Sequence, residues 1–197
     1  MTLGIIFMAS GLSRRFGSNK LLYNLGGKLL FTHALSSLID AAEELKRDFS
    51  VSIAVVSQYP EILAEAERLG LLAVNNPDSE KGITASIKLG LKSLPASEHY
   101  AFFVADQPFL KKETTASFII QYLRSSKGIG SVSDGNMLGN PCIFARKYLP
   151  ELSDLEGDKG GKQVIMKHPG DIFDFRIEPD ELFDLDIPED LRRKEWS

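Results

Sequence analysis

The N-terminal part of the chain reads Gly4-Ile5-Ile6-Phe7-Met8-Ala9-Ser10-Gly11-Leu12-Ser13-Arg14-Arg15-Phe16-Gly17-Ser18-Asn19-Lys20. Its apolar run, residues 3–9, is continuous rather than alternating, which is typical of a parallel strand buried on both faces of a sheet. Small residues follow this run, and glycine there lets the backbone come close to a ligand. The stretch therefore predicts a central strand that leads directly into a ligand-binding loop.

The charges of this loop indicate what it binds. Arg14, Arg15 and Lys20 are cationic, and no Asp or Glu precedes Asp40. Successive backbone N–H groups in a turning loop form a nest for anions. Arg suits bidentate phosphate contacts, and Lys adds a mobile point charge. The loop is therefore predicted to bind an anion of the phosphate type.

The glycine spacing excludes two familiar phosphate-binding loops. Five residues separate Gly11 from Gly17, and Lys20 lies three residues beyond Gly17, so the Walker P-loop pattern does not fit. No glycine stands two residues after Gly11, so the dinucleotide-binding pattern fails as well. A Walker-type NTPase and an NAD-binding protein are both disfavoured.

Length and composition limit the class of protein. The chain has 197 residues, 43% of them hydrophobic, and no linker-like segment divides it, so we expect a single domain over residues 1–197. The net charge of −4 disfavours a nucleic-acid partner. The single cysteine, Cys142, excludes an internal disulfide and is expected in the core. Without a signal-like segment or an apolar run of ~20 residues, we expect a cytoplasmic protein that does not enter membranes.

The periodicity predicts alternating strands and helices. Extended segments are predicted at residues 3–9, 51–57, 71–74, 100–105, 128–133, 141–145 and 171–177, and helices at 29–46, 60–69, 82–94, 111–124 and 161–168. This order indicates an α/β fold with three layers and a mostly parallel sheet. Residues 128–145 break the alternation, so the sheet is expected to be mixed. Ligands of such sheets bind beyond the carboxyl ends of the strands.

A second buried strand ends in a carboxylate. Asp106 follows the apolar residues 100–105, and Pro108 stops the strand because it lacks an N–H donor. Mg²⁺ is commonly held by one or two carboxylates together with substrate phosphates, so Asp106 suits a metal ligand. A turn or helix-capping aspartate suits the same position equally well.

The residues from Met8 to Lys20 resemble a signature, Leu-Ala-Ala-Gly-x-Ser/Gly-x-Arg-Phe/Met-Gly-x-x-Lys, that opens a family of nucleotidyltransferases. Within that family the chain is most similar to the molybdenum cofactor cytidylyltransferases, of the MobA/MocA-like NTP transferase type. The resemblance implies a Rossmann-like nucleotidyltransferase fold. It also implies catalytic roles for Arg15, Lys20 and Asp106. The nucleotide-binding residues implied by the resemblance are Met8, Ala9, Ser10, Gly11, Ser13, Arg14, Arg15, Lys20, Gly82, Ser86 and Asp106.

The resemblance also implies a metal site. Asp106-Gln107-Pro108 is similar to the metal-binding Asp-x-Pro motif of the family. Residues 184–191 resemble its Asp-x-Asp-Thr-Pro-Glu-Asp-Leu segment, with Ile187 in place of Thr. Mg²⁺ is thus the implied cofactor, with Asp106 and Asp186 as its ligands. The other acidic residues between 178 and 190 are expected to be mostly solvated.

Two further segments resemble the acceptor side of the family's pocket. Asn140-Pro141 stands where the family has His-Pro, and residues 157–162 resemble its Gly-Asp-x-Gly-Ala-Arg segment. Asn140, Pro141, Asp158 and Lys162 are the acceptor-side residues implied in this way. Lys162 replaces the Arg of the family, a flexible point charge in place of a planar multi-donor fork.

The implied function is transfer of CMP from CTP to the phosphate of molybdopterin, the organic part of molybdenum cofactor, with release of pyrophosphate. The implied partners are CTP or another NTP, molybdopterin cofactor and a client molybdoenzyme. Ala9-Ser10-Gly11 favours CTP, whereas a Leu-Ala-Gly-Gly turn would favour GTP. The alternatives are a guanylyltransferase, a cytidylyltransferase for another phosphorylated acceptor, and a non-catalytic chaperone that binds the cofactor or a nucleotide.

Overall fold

A computed structural model describes residues 1–158, 160–187 and 189–190 of the chain. Pro188 and residues 191–197, which include the end of the predicted acidic motif, lie outside the described residues. The strands are β1 (Thr2–Met8), β2 (Asn24–Leu25), β3 (Lys28–Leu29), β4 (Ser50–Ser57), β5 (Leu72–Asn75), β6 (His99–Val104), β7 (Ile129–Ser133), β8 (Leu138–Ala145) and β9 (Ile172–Arg176). The α-helices are α1 (Leu30–Leu45), α2 (Pro60–Arg68), α3 (Ile83–Ser93), α4 (Lys112–Arg124), α5 (Leu149–Ser153) and α6 (Lys162–Lys167).

The central sheet has seven strands in the order β5-β4-β1-β6-β8-β7-β9. The first four are parallel, β8 is antiparallel to both β6 and β7, and β9 is parallel to β7. The prediction of an α/β fold with a mostly parallel, mixed sheet is confirmed. After β1 the chain builds outward through β4 and β5, then returns to β6 on the other side of β1. The strand order therefore reverses between β1 and β6, the place where such sheets bind ligands.

Strand β1 is buried on both faces, as its continuous apolar run predicts. Leu3, Ile5 and Phe7 belong to one hydrophobic cluster, which includes residues of α1, α2 and α4. Ile6 and Met8 belong to a second cluster, which includes residues of α3, α5 and α6. Because successive side chains of a strand point to opposite faces, one short run contributes to both cores. The result is a sheet between two layers of helices.

Strand β8 differs from its predicted range, since it begins at Leu138 rather than at residue 141. The pairing between β7 and β8 shifts here: Ser131 pairs with Cys142, whereas Val132 pairs with Gly139. The bulge accommodates Asn140 and Pro141 inside the strand.

Other predictions are confirmed or extended. The five predicted helices are present, whereas α5 and the small ribbon of β2 and β3 were not predicted. Cys142 is buried, as expected for a core residue. No helix in the described part of the chain is long and apolar enough to cross a bilayer. A single domain over residues 1–197 stays a prediction.

Candidate functional site

A cavity of about 430 Å³ opens at the carboxyl ends of β1 and β6. The sequence-predicted residues that line it are Met8, Ser10, Gly11, Ser13, Arg14, Arg15, Lys20, Gly82, Ser86, Asp106 and Asp158. Ala9 lies fully buried behind this wall, and its N–H donates to Val56 O at 2.8 Å. The fold thus brings segments from across the chain to one edge of the sheet.

The loop after β1 is held from the side of β4. Three consecutive carbonyl groups, of residues 9–11, accept hydrogen bonds in turn from Ser57 Oγ (2.8 Å), Gln58 Nε2 (3.0 Å) and Tyr59 OH (2.7 Å). These carbonyls are therefore bonded to the protein rather than to a ligand. The sequence analysis missed this anchor, although three consecutive polar residues at the end of β4, the strand next to β1, could have indicated it.

Two serines of the loop make internal contacts. Ser10 Oγ donates to Val56 O at 3.2 Å, so a backbone carbonyl takes its hydroxyl hydrogen. Ser13 has a positive φ of 51°, which is uncommon outside glycine and signals a constrained turn. Ser13 Oγ accepts from the backbone N–H of Lys20 at 3.2 Å. This contact fixes where Lys20 leaves the loop, at the start of the 3₁₀ turn Lys20–Leu22.

Lys20 lies between the two carboxylates that the resemblance assigns to a metal. Its Nζ donates to Asp106 Oδ2 and to Asp186 Oδ1, both at 2.8 Å. Arg15 Nη2 lies 2.7 Å from Asp186 Oδ2. Burial by itself would lower the pKa of Lys20, but the two carboxylates outweigh it and raise that pKa. Burial likewise opposes the ionised form of Asp186, yet Lys20 and Arg15 hold the pKa of Asp186 below its usual value.

The sequence left two readings of Asp106 open, and the contacts distinguish between them. The N-cap residue of α4 is Lys111, so Asp106 does not cap that helix. Its carboxylate instead lines the cavity and contacts Lys20. Asp106 does lie in a turn, but the helix-cap interpretation is disfavoured, and the carboxylate is available to a ligand in the cavity.

Asp186 does not itself line the cavity but contacts Lys20 and Arg15 of its wall. The contacts that hold the Asp186 segment there were missed by the sequence analysis. The backbone N–H of the fully buried Leu185 donates to Asp106 O at 3.0 Å, which joins the two segments. Asp190 Oδ2 accepts from the N–H groups of Asp186 (2.8 Å) and Ile187 (3.0 Å). Asp190 thus folds the turn that presents Asp186.

Most of the remaining acidic residues between 178 and 190 are exposed, as expected, but two of them are buried. Asp190 is buried and bonded as described, and the buried Glu181 accepts from the N–H of Lys111 at 3.0 Å, which satisfies the start of α4. Asp184 is exposed as a whole residue, but the protein around its carboxyl group shields that group from water. This desolvation, together with the charge of Asp106, raises the pKa of Asp184 to about 6.

The donor set at this point fits Mg²⁺. Asp106 and Asp186 converge on one cationic group, the ammonium of Lys20, which shows that their oxygens can share a positive charge. Among the described residues, no group of three or more His, Cys, Asp or Glu side chains is arranged to hold a metal. A metal here would therefore take two carboxylates and complete its coordination with phosphate and water, as Mg²⁺ commonly does.

The opposite wall of the cavity is the start of α3. Gly82 has a positive φ of 81°, and Ser86 lies one turn inside the helix. Ser86 Oγ accepts from Nδ2 of the fully buried Asn76 at 3.1 Å. Asp158 Oδ1 accepts from the N–H of Ile83 at 2.9 Å and so caps α3. Asp158, which the resemblance assigns to the acceptor side, therefore contacts the start of α3, which the resemblance assigns to the nucleotide.

The remaining acceptor-side residues stand apart from the cavity. In the described part of the chain, Asn140, Pro141 and Lys162 do not line it. Asn140 and Pro141 occupy the bulge of β8, and Lys162 begins α6. Their acceptor role stays a prediction.

The sequence of the chain is similar to those of known proteins. The MobA-like NTP transferase domain matches residues 5–172. The purine catabolism protein PucB of Bacillus subtilis (strain 168) is 26% identical over 206 residues, which cover 98% of this chain and 96% of that protein.

Solved structures share the fold. Rv0371c from Mycobacterium tuberculosis H37Rv superposes with a TM-score of 0.77 at 21% identity, over 98% of this chain and 96% of that one. A manganese complex of the same protein gives 0.72 at 20% identity, with the same coverage. A CMP:2-keto-3-deoxy-manno-octonic acid synthetase complexed with CTP gives 0.74 at 13% identity, again over 98% and 96% of the two chains.

Proposed function

We propose, for a chain that belongs to the MobA-like NTP transferase domain family, that it transfers CMP from CTP to the phosphate of molybdopterin cofactor and releases pyrophosphate. One observation carries the proposal. A cationic loop after β1 and Asp106 line one cavity, and Lys20 in its wall contacts both Asp106 and Asp186, which come from distant segments. Such an arrangement suits a polyphosphate substrate with its metal.

The reaction needs no covalent enzyme intermediate. An oxygen of the acceptor phosphate attacks the α-phosphorus of CTP and forms the new P–O bond. The bond from the α-phosphorus to the bridging oxygen breaks, and pyrophosphate leaves with that electron pair. The acceptor phosphate is ionised near neutral pH, so alignment and charge neutralisation can carry the reaction without a dedicated base.

The charged side chains divide the remaining work. Arg15 and Lys20 would bind the triphosphate and stabilise the charge of the departing pyrophosphate. Asp106 and Asp186 would hold Mg²⁺, which when bound neutralises negative charge at the α-phosphate. The manganese complex of Rv0371c supports a divalent cation in a related protein.

The choice of base rests on the cavity wall at Ser10 and Gly11, with Ala9 buried behind it, and on Ser86. Ser10 is larger than the family's Ala, but its hydroxyl hydrogen is donated to Val56 O, so it adds no new donor to the cavity. This favours retention of the cytosine preference. The relative complexed with CTP supports CTP binding in this fold. PucB is named for purine catabolism, so the client that we propose is a molybdoenzyme acting on a purine.

The test is pyrophosphate release with molybdopterin cofactor and Mg²⁺, with CTP and GTP in parallel. We expect release with CTP, and a loss of about 100-fold or more in Asp106→Asn. Asp40→Asn, on the exposed surface of α1, is the matched control. Release with GTP alone would assign a guanylyltransferase. Nucleotide binding without release, for either nucleotide, would favour the carrier role or another acceptor.

A further inference from the structure

We propose that Lys20 is a positioning residue that keeps a divalent cation off Asp106 and Asp186 until a nucleoside triphosphate binds. The proposal rests on the proposed function, since it concerns the same cavity. In the structure the two cationic groups expected to bind the triphosphate, Lys20 and Arg15, are paired with the carboxylates expected to bind the metal. Binding therefore requires an exchange of partners.

The Lys20 ammonium and a metal ion cannot both bind the same carboxylate oxygens. Both oxygens of Asp186 are engaged, Oδ1 by Lys20 Nζ and Oδ2 by Arg15 Nη2. Lys20 Nζ also contacts Asp106 Oδ2 at 2.8 Å. A Mg²⁺ ion lies at ~2.0–2.1 Å from its oxygen ligands, so an ion bound to the same oxygens would occupy the space next to the ammonium. Like charges at that separation repel strongly in a partly buried site.

Because Lys20 is buried, its ammonium can move away from the two carboxylates only when another anion is present. The residue is only 6% exposed, so its ammonium is largely removed from water and needs an anionic partner. The triphosphate, bound in the same cavity, supplies one. Arg15 has a side chain that is 73% exposed, so it can turn away from Asp186 with little loss of interaction free energy. Lys20 is therefore the residue that couples the two events.

The consequence is positive coupling between metal and nucleotide. When Lys20 turns to the triphosphate, Asp106 and Asp186 become available to a cation. Because coupling between two ligands is reciprocal, a metal on the carboxylates also releases Lys20 for phosphate. This coupling through Lys20 adds to the direct attraction between a bound metal ion and the phosphates of the nucleotide.

The first experiment measures Mn²⁺ affinity in the absence of nucleotide, by calorimetry or by the loss of the free-ion electron spin resonance signal. We expect Lys20→Met to bind Mn²⁺ about tenfold more tightly than the unaltered protein, within the usual range of coupling between sites. Arg14→Met is the matched control, because it removes a positive charge from the same cavity wall, and within the described residues Arg14 forms no hydrogen bond or ion pair with either carboxylate. An unchanged affinity in Lys20→Met, or an equal gain in Arg14→Met, would overturn the proposal.

A second experiment does not depend on the folding of Lys20→Met. In EDTA, Asp186→Asn weakens the hold on both Lys20 and Arg15, so we expect it to bind CTP about fivefold more tightly than the unaltered protein. Asp158→Asn removes a carboxylate of the same cavity that caps α3 instead, and we expect a much smaller gain. Equal gains, or none in Asp186→Asn, would contradict the proposal. If the unaltered protein binds neither CTP nor GTP, the proposed function fails, and the Mn²⁺ experiment decides the role of Lys20 alone.

Discussion

Asp158 Oδ1 lies only 2.0 Å from the point where a β-carbon on Gly82 would be placed. The same oxygen accepts the N–H of Ile83. The loop that carries Asp158 therefore rests directly on the backbone at the start of α3, and only glycine leaves room for it. The close approach links the segment predicted on the acceptor side to the segment predicted to bind the base.

Gly82→Ala should destabilise the protein through two effects. Gly82 has φ 81° and ψ −169°, a backbone region essentially restricted to glycine that costs about 1–3 kcal/mol for a residue with a β-carbon, and the methyl group must also displace Asp158. Gly70→Ala is the control for a glycine of positive φ, 70°, with open space around it. Denaturant unfolding should show a larger loss for Gly82→Ala.

A double variant separates the two effects. In an Asp158→Ala background the obstructing carboxylate is gone, so Gly82→Ala should cost less stability than it does in the unaltered protein. An equal cost in both backgrounds would show that the contact with Asp158 contributes nothing to it.

Tyr59→Phe tests the anchor of the nucleotide loop. The change removes the hydrogen bond to Gly11 O at 2.7 Å and leaves the ring in place. We expect a loss of about 1 kcal/mol in unfolding free energy and a raised KM for CTP, because the loop is less well held. Tyr23→Phe, at an exposed tyrosine, is the control. A KM equal to that of the control would argue against the anchor.

Asp184→Asn tests the electrostatics of the site through pH. Because the folded protein raises the pKa of Asp184 to about 6, its ionised form opposes folding above that pH. Removing the charge should raise Tm at pH 8. The gain should shrink as the pH falls through 6 and vanish near the unfolded pKa of about 4. Asp40→Asn is the control, and a gain that grows towards acid pH would refute the assignment.

Asp190→Ala tests the support of Asp186. The carboxylate of Asp190 accepts two backbone N–H groups, so its loss should cost about 1–3 kcal/mol. It should also lower kcat, because Asp186 is no longer fixed. Asp190→Asn keeps an acceptor oxygen and should restore most of both quantities. A merely structural role would move stability and leave kcat unchanged.

Much of the fold could be predicted because its signals are local. The run from Leu3 to Ala9 indicated a strand buried on both sides, and the alternation of strands and helices indicated the parallel sheet. The start of strand β8 was harder, because the bulge that lets the strand begin before Pro141 depends on pairing with β7. Pairing between segments is not visible in local periodicity.

The site was predictable where a residue follows a buried strand, as Asp106 does. Glu181 and Asp190 were missed, because a run of acidic residues gives no sign of which carboxylates the chain turns inward. Tyr59 was missed because its role depends on a neighbouring strand. Lys162 is the opposite case: a motif predicted an acceptor-side role for it, but the structure places it outside the lining of the cavity.

The most direct test of the account follows the phosphorus atoms of CTP. The protein is incubated with Mg²⁺, molybdopterin cofactor and CTP labelled with ³²P at either the α or the γ position, and the products are separated. We predict that the α label appears in the cofactor product and the γ label in pyrophosphate. A γ label in the cofactor product would show phosphoryl rather than nucleotidyl transfer, and α label in free CMP alone would show hydrolysis. Either result would contradict the proposed function.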